Sequence, residues 1–198
     1  VFRHIHRAKR LVSPFYKERT LALIVMKFGG DALGDKGKGK KREEDAPLFG
    51  AEFLADKFQH MGKIVKRAAD NGHKAVVVVS AMGDATNRLI AMANKLNSKP
   101  PAREMDMLMA TGEQQSISLM AVTLHAMGVP AMSFTGQQVG IQTEKLFGKA
   151  RITSISDERL ERAIAEGYVP VVAGFQGVAE QDELTTLGRG GSDISAVA

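Results

Sequence analysis

Apolar residues in this chain fall into short unbroken runs separated by stretches with helical spacing. "LALIVMKF" at 21–28 stops at Gly29-Gly30 and predicts a buried strand. "KAVVVVS" at 74–80 predicts a second, apolar on both sides as in a parallel sheet covered on both faces. Residues 129–135 and "YVPVVA" at 168–173 predict a third and a fourth. Between the runs the period changes. From Glu52 onward Phe53, Leu54, Phe58, Met61, Ile64, Val65 and Ala68 fall near one helical face, and Asn71-Gly72 supplies a stop. Residues 86–96 predict another helix, punctuated by Lys99-Pro100-Pro101. Residues 103–127 predict two helices broken near Thr111-Gly112, and 157–166 a short amphipathic one ended by Gly167. A hairpin is expected over 174–186. "LGRGGSDISAVA" then reads as a glycine turn entering the first turns of a helix, which suggests a domain truncated at its C-terminal side. Strands alternating with helices predict an α/β fold on a mainly parallel sheet.

Charge alters the domain boundaries more than the fold. The net charge of +5 invites a nucleic-acid reading, but residues 1–20 hold Arg3, Arg7, Lys9, Arg10, Lys17 and Arg19 against the single acid Glu18, and the rest of the chain is balanced. The basic signal therefore belongs to an N-terminal extension, 1–20, and not to the body, 21–198, so no nucleic-acid partner is expected. The extension lacks the apolar stretch of about 7–15 residues that marks a secretory signal. A cytoplasmic location is expected, with organellar targeting by the extension left open. No apolar run approaches the ~20 residues of a membrane span. Residues 35–50, rich in Lys, Gly and Glu, read as solvated loop, giving an inserted charged segment at about 31–51. The absence of cysteine excludes disulfides and thiolate metal sites, and the five scattered histidines predict no zinc site.

Candidate chemistry lies in three glycine-rich turns: "KFGGD" (27–31), "SAMGDATN" (80–87) and "GRGGSD" (188–193). Each follows a strand-like run, and all three are expected on one carboxyl edge of the sheet, where open α/β sheets bind ligands. Glycine lets backbone N–H groups approach an anion, and Lys27 and Arg189 add full positive charges. None of the three has the GxxxxGK[ST] or GxGxxG spacing, which disfavours a P-loop enzyme and a dinucleotide dehydrogenase.

"IVMKFGG", "VVVVSAMGDATNRLI", "PPAREMDMLMATGEQQSISLMAVTLHAMGVPAMSFTG" and "VVAGFQGVAEQDELTTLGRGGSDISAVA" resemble the aspartokinases of the amino-acid kinase family. The resemblance covers about residues 21–198 apart from a gap at 31–52. It implies a three-layer α/β/α sandwich with a mainly parallel sheet. It also implies transfer of the ATP γ-phosphoryl group to the β-carboxylate of L-aspartate, with Mg2+ accompanying the nucleotide, and a homo-oligomer. Such a reaction needs no protein nucleophile, only positioning and charge stabilisation.

Carried over by the resemblance, Lys27 bridges the transferring phosphoryl group, and Phe28, Gly29, Gly30 and Ser80 form the phosphate side. Thr86 contacts substrate and Glu113 of "TGEQ" receives the aspartate ammonium. Arg189 holds a substrate carboxylate, with Gly190, Gly191 and Ser192 lining the same pocket, and Asp193 organises the lysine. Alone, each has a plainer reading: a surface lysine, a helix acid, a surface ion pair. Only their joint occurrence favours the site. The chain departs from the family's "KFGGTS" at Asp31 and Ala32, which places a negative charge beside a polyanion site. Lys36, Lys38, Lys40, Lys41 and Arg42 of the insert would partly offset it. A non-catalytic kinase remnant that binds a ligand or partner is the alternative, as is a kinase for carbamate, glutamate or uridylate.

Overall fold

The computed structural model describes residues 21–33, 51–188 and 190–198, with the side chains of Asp31, Leu33 and 51–53 left out. The basic extension 1–20, most of the charged insert and Arg189 lie outside the described residues.

The main sheet joins β1 (Leu23–Phe28), β2 (Lys74–Val79), β3 (Ala131–Phe134) and β6 (Val169–Ala173) in the order β1-β2-β6-β3, all parallel. Its register runs from Leu23 opposite Lys74 to Phe28 opposite Val79, and Val79 is opposite Ala173, so these strands end level with one another. Alternation along β2 divides the core in two. Ala75, Val77 and Val79 pack with Phe58, Met61 and Val65 of α2 (Ala51–Asp70) and with Ile117, Met120 and Leu124 of α4 (Ala102–Ala126). Val76 and Val78 face the opposite way, toward Ala163, Leu160 and Ile164 of α5 (Glu158–Ala165) and Ala196 of α6 (Gly191–Val197). Helices thus cover both faces of the parallel sheet, as the uninterrupted valines predict, in the three-layer arrangement that the resemblance implies.

A second four-stranded sheet, ordered β5-β4-β7-β8, stands beside the first. Its strands β4 (Gln142–Thr143), β5 (Ile152–Ser154), β7 (Gln176–Val178) and β8 (Leu184–Thr186) are two or three residues long, too short for a hydrophobic period to reveal β4 and β5. The hairpin expected over 174–186 is present as the antiparallel pair β7–β8.

Two expectations need correction. Residues 102–126 are one helix of 25 residues, not two. Thr111 stays within it by donating its hydroxyl to the Leu108 carbonyl at 2.7 Å. Gly112 is there for proximity: a Cβ on it would stand 2.9 Å from the Ala81 Cβ, so only glycine lets α4 lie this close to the loop after β2. The roughly 1 kcal/mol that glycine costs a helix interior is offset by that contact. The second correction concerns the third glycine turn, which leaves β8 of the small sheet rather than the main sheet's edge. It reaches the edge because α6 packs back on β1 and β2.

Candidate functional site

The carboxyl ends of β1 and β2 bring the first two glycine turns into contact. The helical turn α1 (Gly30–Leu33) begins directly after β1, and the Gly83 N–H donates to the Gly30 carbonyl at 3.2 Å. A Cβ on Gly30 would meet the carbonyl oxygens of Ala81 and Gly83 at 3.1 and 3.2 Å. The Ser80 N–H donates to the Phe28 carbonyl, continuing the sheet into the loop. Lys27 folds back over Gly29, with its Nζ 3.1 Å from where a Gly29 Cβ would stand. The same Nζ pairs with Asp193 Oδ1 at 2.7 Å, joining β1 to α6.

A cavity of about 440 Å³ opens beside this pair. Of the residues singled out from the sequence, Lys27, Ser80, Thr86, Glu113, Gly190, Gly191, Ser192 and Asp193 line it. Gly29 and Gly30 lie under Lys27 and against the 81–83 loop, while the Phe28 side chain turns away into the α2–α4 core. Arg189 is outside the described residues. Thr86 enters from the first turn of α3 (Ala85–Leu96).

Glu113 is the deepest charged group in the cavity wall, 3% exposed in the middle of α4. Its Oε1 accepts the Ala81 N–H at 3.0 Å, and Oε2 has no hydrogen-bond partner among the described residues. Burial pushes the carboxyl up to about 7 from its ordinary 4.5, against the opposing pull of the Ala81 N–H and its own backbone N–H. A buried carboxyl with one oxygen unmatched favours a cationic donor from a ligand over solvent. Lys27, paired with Asp193, and the backbone of Gly188, Gly190 and Gly191 in the third turn line the same cavity and favour an anion. One cleft therefore offers a cation receptor and an anion receptor.

The model of the amino acid kinase family matches residues 22–198. The chain belongs to that family. Aspartokinase of Geobacillus stearothermophilus is 44% identical over 178 residues, which is 90% of this chain and 39% of that protein. The crystal structure of aspartate kinase from Synechocystis superposes with a TM-score of 0.67 at 40% identity, covering 88% of this chain and 25% of that one. E. coli aspartokinase III in complex with aspartate and ADP gives the same TM-score, 0.67, at 23% identity over 87% of this chain and 44% of that one, a likeness of fold alone. The chain spans 39% of the length of the curated relative above.

In this amino acid kinase the cavity is also lined by Asn87 and Gly188 of the second and third glycine turns, and by four residues that sequence reasoning missed: Ile90, Met109, Gly148 and Phe175. Helical periodicity gave a usable signal for two of them. Ile90 lies one turn beyond Thr86, and Met109 one turn before Glu113. Phe175 gave none. It sits between β6 and β7 with φ at 69°, in the left-handed region that costs a non-glycine residue about 1–3 kcal/mol. Two hydrogen bonds hold it there: its N–H donates to Ser195 Oγ at 3.2 Å, and its carbonyl accepts the Leu187 N–H at 2.8 Å. The ring abuts the third glycine turn, since a Cβ on Gly191 would come 3.1 Å from its Cδ2.

Proposed function

We propose that this chain is the acceptor-side part of an aspartate kinase, catalysing ATP + L-aspartate → ADP + 4-phospho-L-aspartate. The observation that carries the reading is Glu113: a buried carboxylate with an unmatched oxygen lines the same cavity as Lys27. L-Aspartate brings one ammonium and two carboxylates, and the reaction adds a polyphosphate. Glu113 receives the ammonium, and Thr86, Arg189, Gly190, Gly191 and Ser192 receive the carboxylates.

Lys27 and the Gly29, Gly30 and Ser80 turns receive the phosphates, with Phe28 anchoring the end of β1 in the core. A β-carboxylate oxygen of the substrate attacks the γ-phosphorus in line as the bond to the ADP oxygen breaks. The negative charge on the transferring group is met by Lys27, which Asp193 orients. The role of Glu113 is to hold the ammonium so that the opposite carboxylate points at Lys27, and positioning of this kind supplies much of the rate. Mg2+ enters with the nucleotide as part of the substrate. Residues 21–198 form one domain in this reading, preceded by the basic extension and interrupted by the charged insert, and the protein acts as a homo-oligomer in the cytoplasm.

The aspartokinase relatives at 40% identity and above support this assignment. The test is ADP release by the full-length protein with L-aspartate, L-glutamate, carbamate and uridylate as competing acceptors. Aspartate-dependent turnover is expected. Its absence, or preference for another acceptor, refutes the assignment.

A further inference from the structure

Asp106 lies two helical turns before Glu113 on the same face of α4 and is completely buried. Nothing in the proposed chemistry uses it. Its carboxylate accepts three hydrogen bonds: Oδ2 from the N–H groups of Gly148 and Thr186, each at 2.9 Å, and Oδ1 from the Thr186 hydroxyl at 2.8 Å. Those two residues bring together the ends of two segments. The Ala150 N–H donates to the Thr186 carbonyl at 2.9 Å, and a Cβ on Gly188 would sit 3.4 Å from the Gly148 carbonyl oxygen. Gly148 and Gly188 both line the cavity, and the third glycine turn starts at Gly188.

We infer that Asp106 is a positioning residue that sets the third glycine turn at a fixed distance from Glu113. One rigid helix carries both groups. Glu113 ties it to the loop after β2 through Ala81, and Asp106 ties it to the corner formed by 148–150 and 186–188. Between them the Ala110 carbonyl accepts the Gln176 side-chain N–H at 3.2 Å, so α4 is fastened at three levels of one face. The span from ammonium receptor to carboxylate receptors is thereby set by helix geometry. Lys27, Gly29 and Gly30 belong to β1 and its turn, which Asp106 does not touch. The clip therefore acts first on the acceptor, and it reaches Lys27 only indirectly, through Asp193 of α6. This role rests on the aspartate kinase reading.

The chemistry of the clip suggests its own control. Asn at this position keeps one acceptor oxygen for the two N–H groups, and its NH2 faces a Thr186 hydroxyl that is able to turn and accept. Ala removes everything. In steady-state kinetics on the full-length protein, D106A is expected to raise KM for L-aspartate about tenfold while KM for ATP stays within about twofold, and D106N is expected to restore most of the loss. T186V, which removes only the hydroxyl leg, is expected to raise the aspartate KM by about threefold and serves if D106A does not fold. An equal rise in both KM values, a fall in kcat with both KM values unchanged, or failure of D106N to recover affinity overturns the inference. If the wild-type protein prefers a different acceptor, the aspartate reading falls. The same comparison made with that acceptor still decides the role of Asp106.

Discussion

Replacing Glu113 by Gln isolates the cost of its burial. Raising the carboxyl from 4.5 to about 7 makes its ionised form about 3 kcal/mol less favourable in the folded protein than in the unfolded chain. Between those two pH values the folded protein holds a proton that the unfolded chain has released. Stability therefore falls as pH rises through this window, and the penalty is full above pH 7. Gln has no proton to lose, and its side-chain oxygen still accepts the Ala81 N–H. The stability of E113Q relative to wild type should thus grow by about 2–3 kcal/mol between pH 5 and pH 8. Urea unfolding of both proteins at several pH values measures it, and the difference between them cancels every other titrating group. A difference that stays flat within about 0.5 kcal/mol across that range would falsify the account of Glu113 as a carboxyl strained by burial. Ligand binding should reverse the effect. An ammonium beside Oε2 pulls the carboxyl down, so binding of L-aspartate near pH 7 releases a proton. Calorimetry in buffers of different ionisation enthalpy should detect that proton with wild type and miss it with E113Q.

Three further substitutions probe separate parts of the site. Lys27→Met should lower turnover by about 10²–10³ and change the melting temperature little, since its bridge to Asp193 joins groups 30% and 69% exposed and is worth under about 1 kcal/mol; more than about a tenth of wild-type turnover would remove Lys27 from the phosphoryl site. Gly112→Ala should cost about 1–3 kcal/mol in urea unfolding, because its Cβ meets the Ala81 Cβ at 2.9 Å and pushes α4 off the loop that holds Glu113; a neutral result would mean the loop yields freely. Gly174→Ala places a Cβ 2.7 Å from the Ser192 Cβ and Oγ, so it should displace α6 and weaken acceptor binding along with stability. Stability loss with acceptor affinity intact would separate α6 from the site.

The parts of the fold legible in sequence are those whose burial is two-sided. β2 could be read because five consecutive residues, Ala75 to Val79, are buried on both faces and leave no alternative to an interior strand. α4 was legible as helix but not as one helix, since a mid-helix glycine signals a break when its neighbour, Ala81, lies in another segment. The small sheet was half-hidden, because β4 and β5 are too short to show a period. Among the residues that line the cavity, those inside glycine turns or "TGEQ" could be singled out by type and order. Phe175 and Gly148 were not, because their place depends on backbone conformation and on a crossing between distant segments. Asp106 was overlooked for the same reason: its partners are 42 and 80 positions away.

The position of β1 has a kinetic consequence. It is the outermost strand of the described sheet, bonded to β2 alone, and its Leu23 and Val25 are 60% and 49% exposed. β2, by contrast, is enclosed between β1 and β6. Local opening should follow that gradient, with β1 amides exchanging before those of β2 and α4. Among the described residues, the lysine proposed for the phosphoryl group thus lies on the least enclosed strand, and the proposed ammonium receptor, Glu113, on a helix packed against the enclosed ones. Because α6 packs on β1 and Asp193 pairs with Lys27, opening of β1 should also loosen the third glycine turn, while Glu113 stays held on α4.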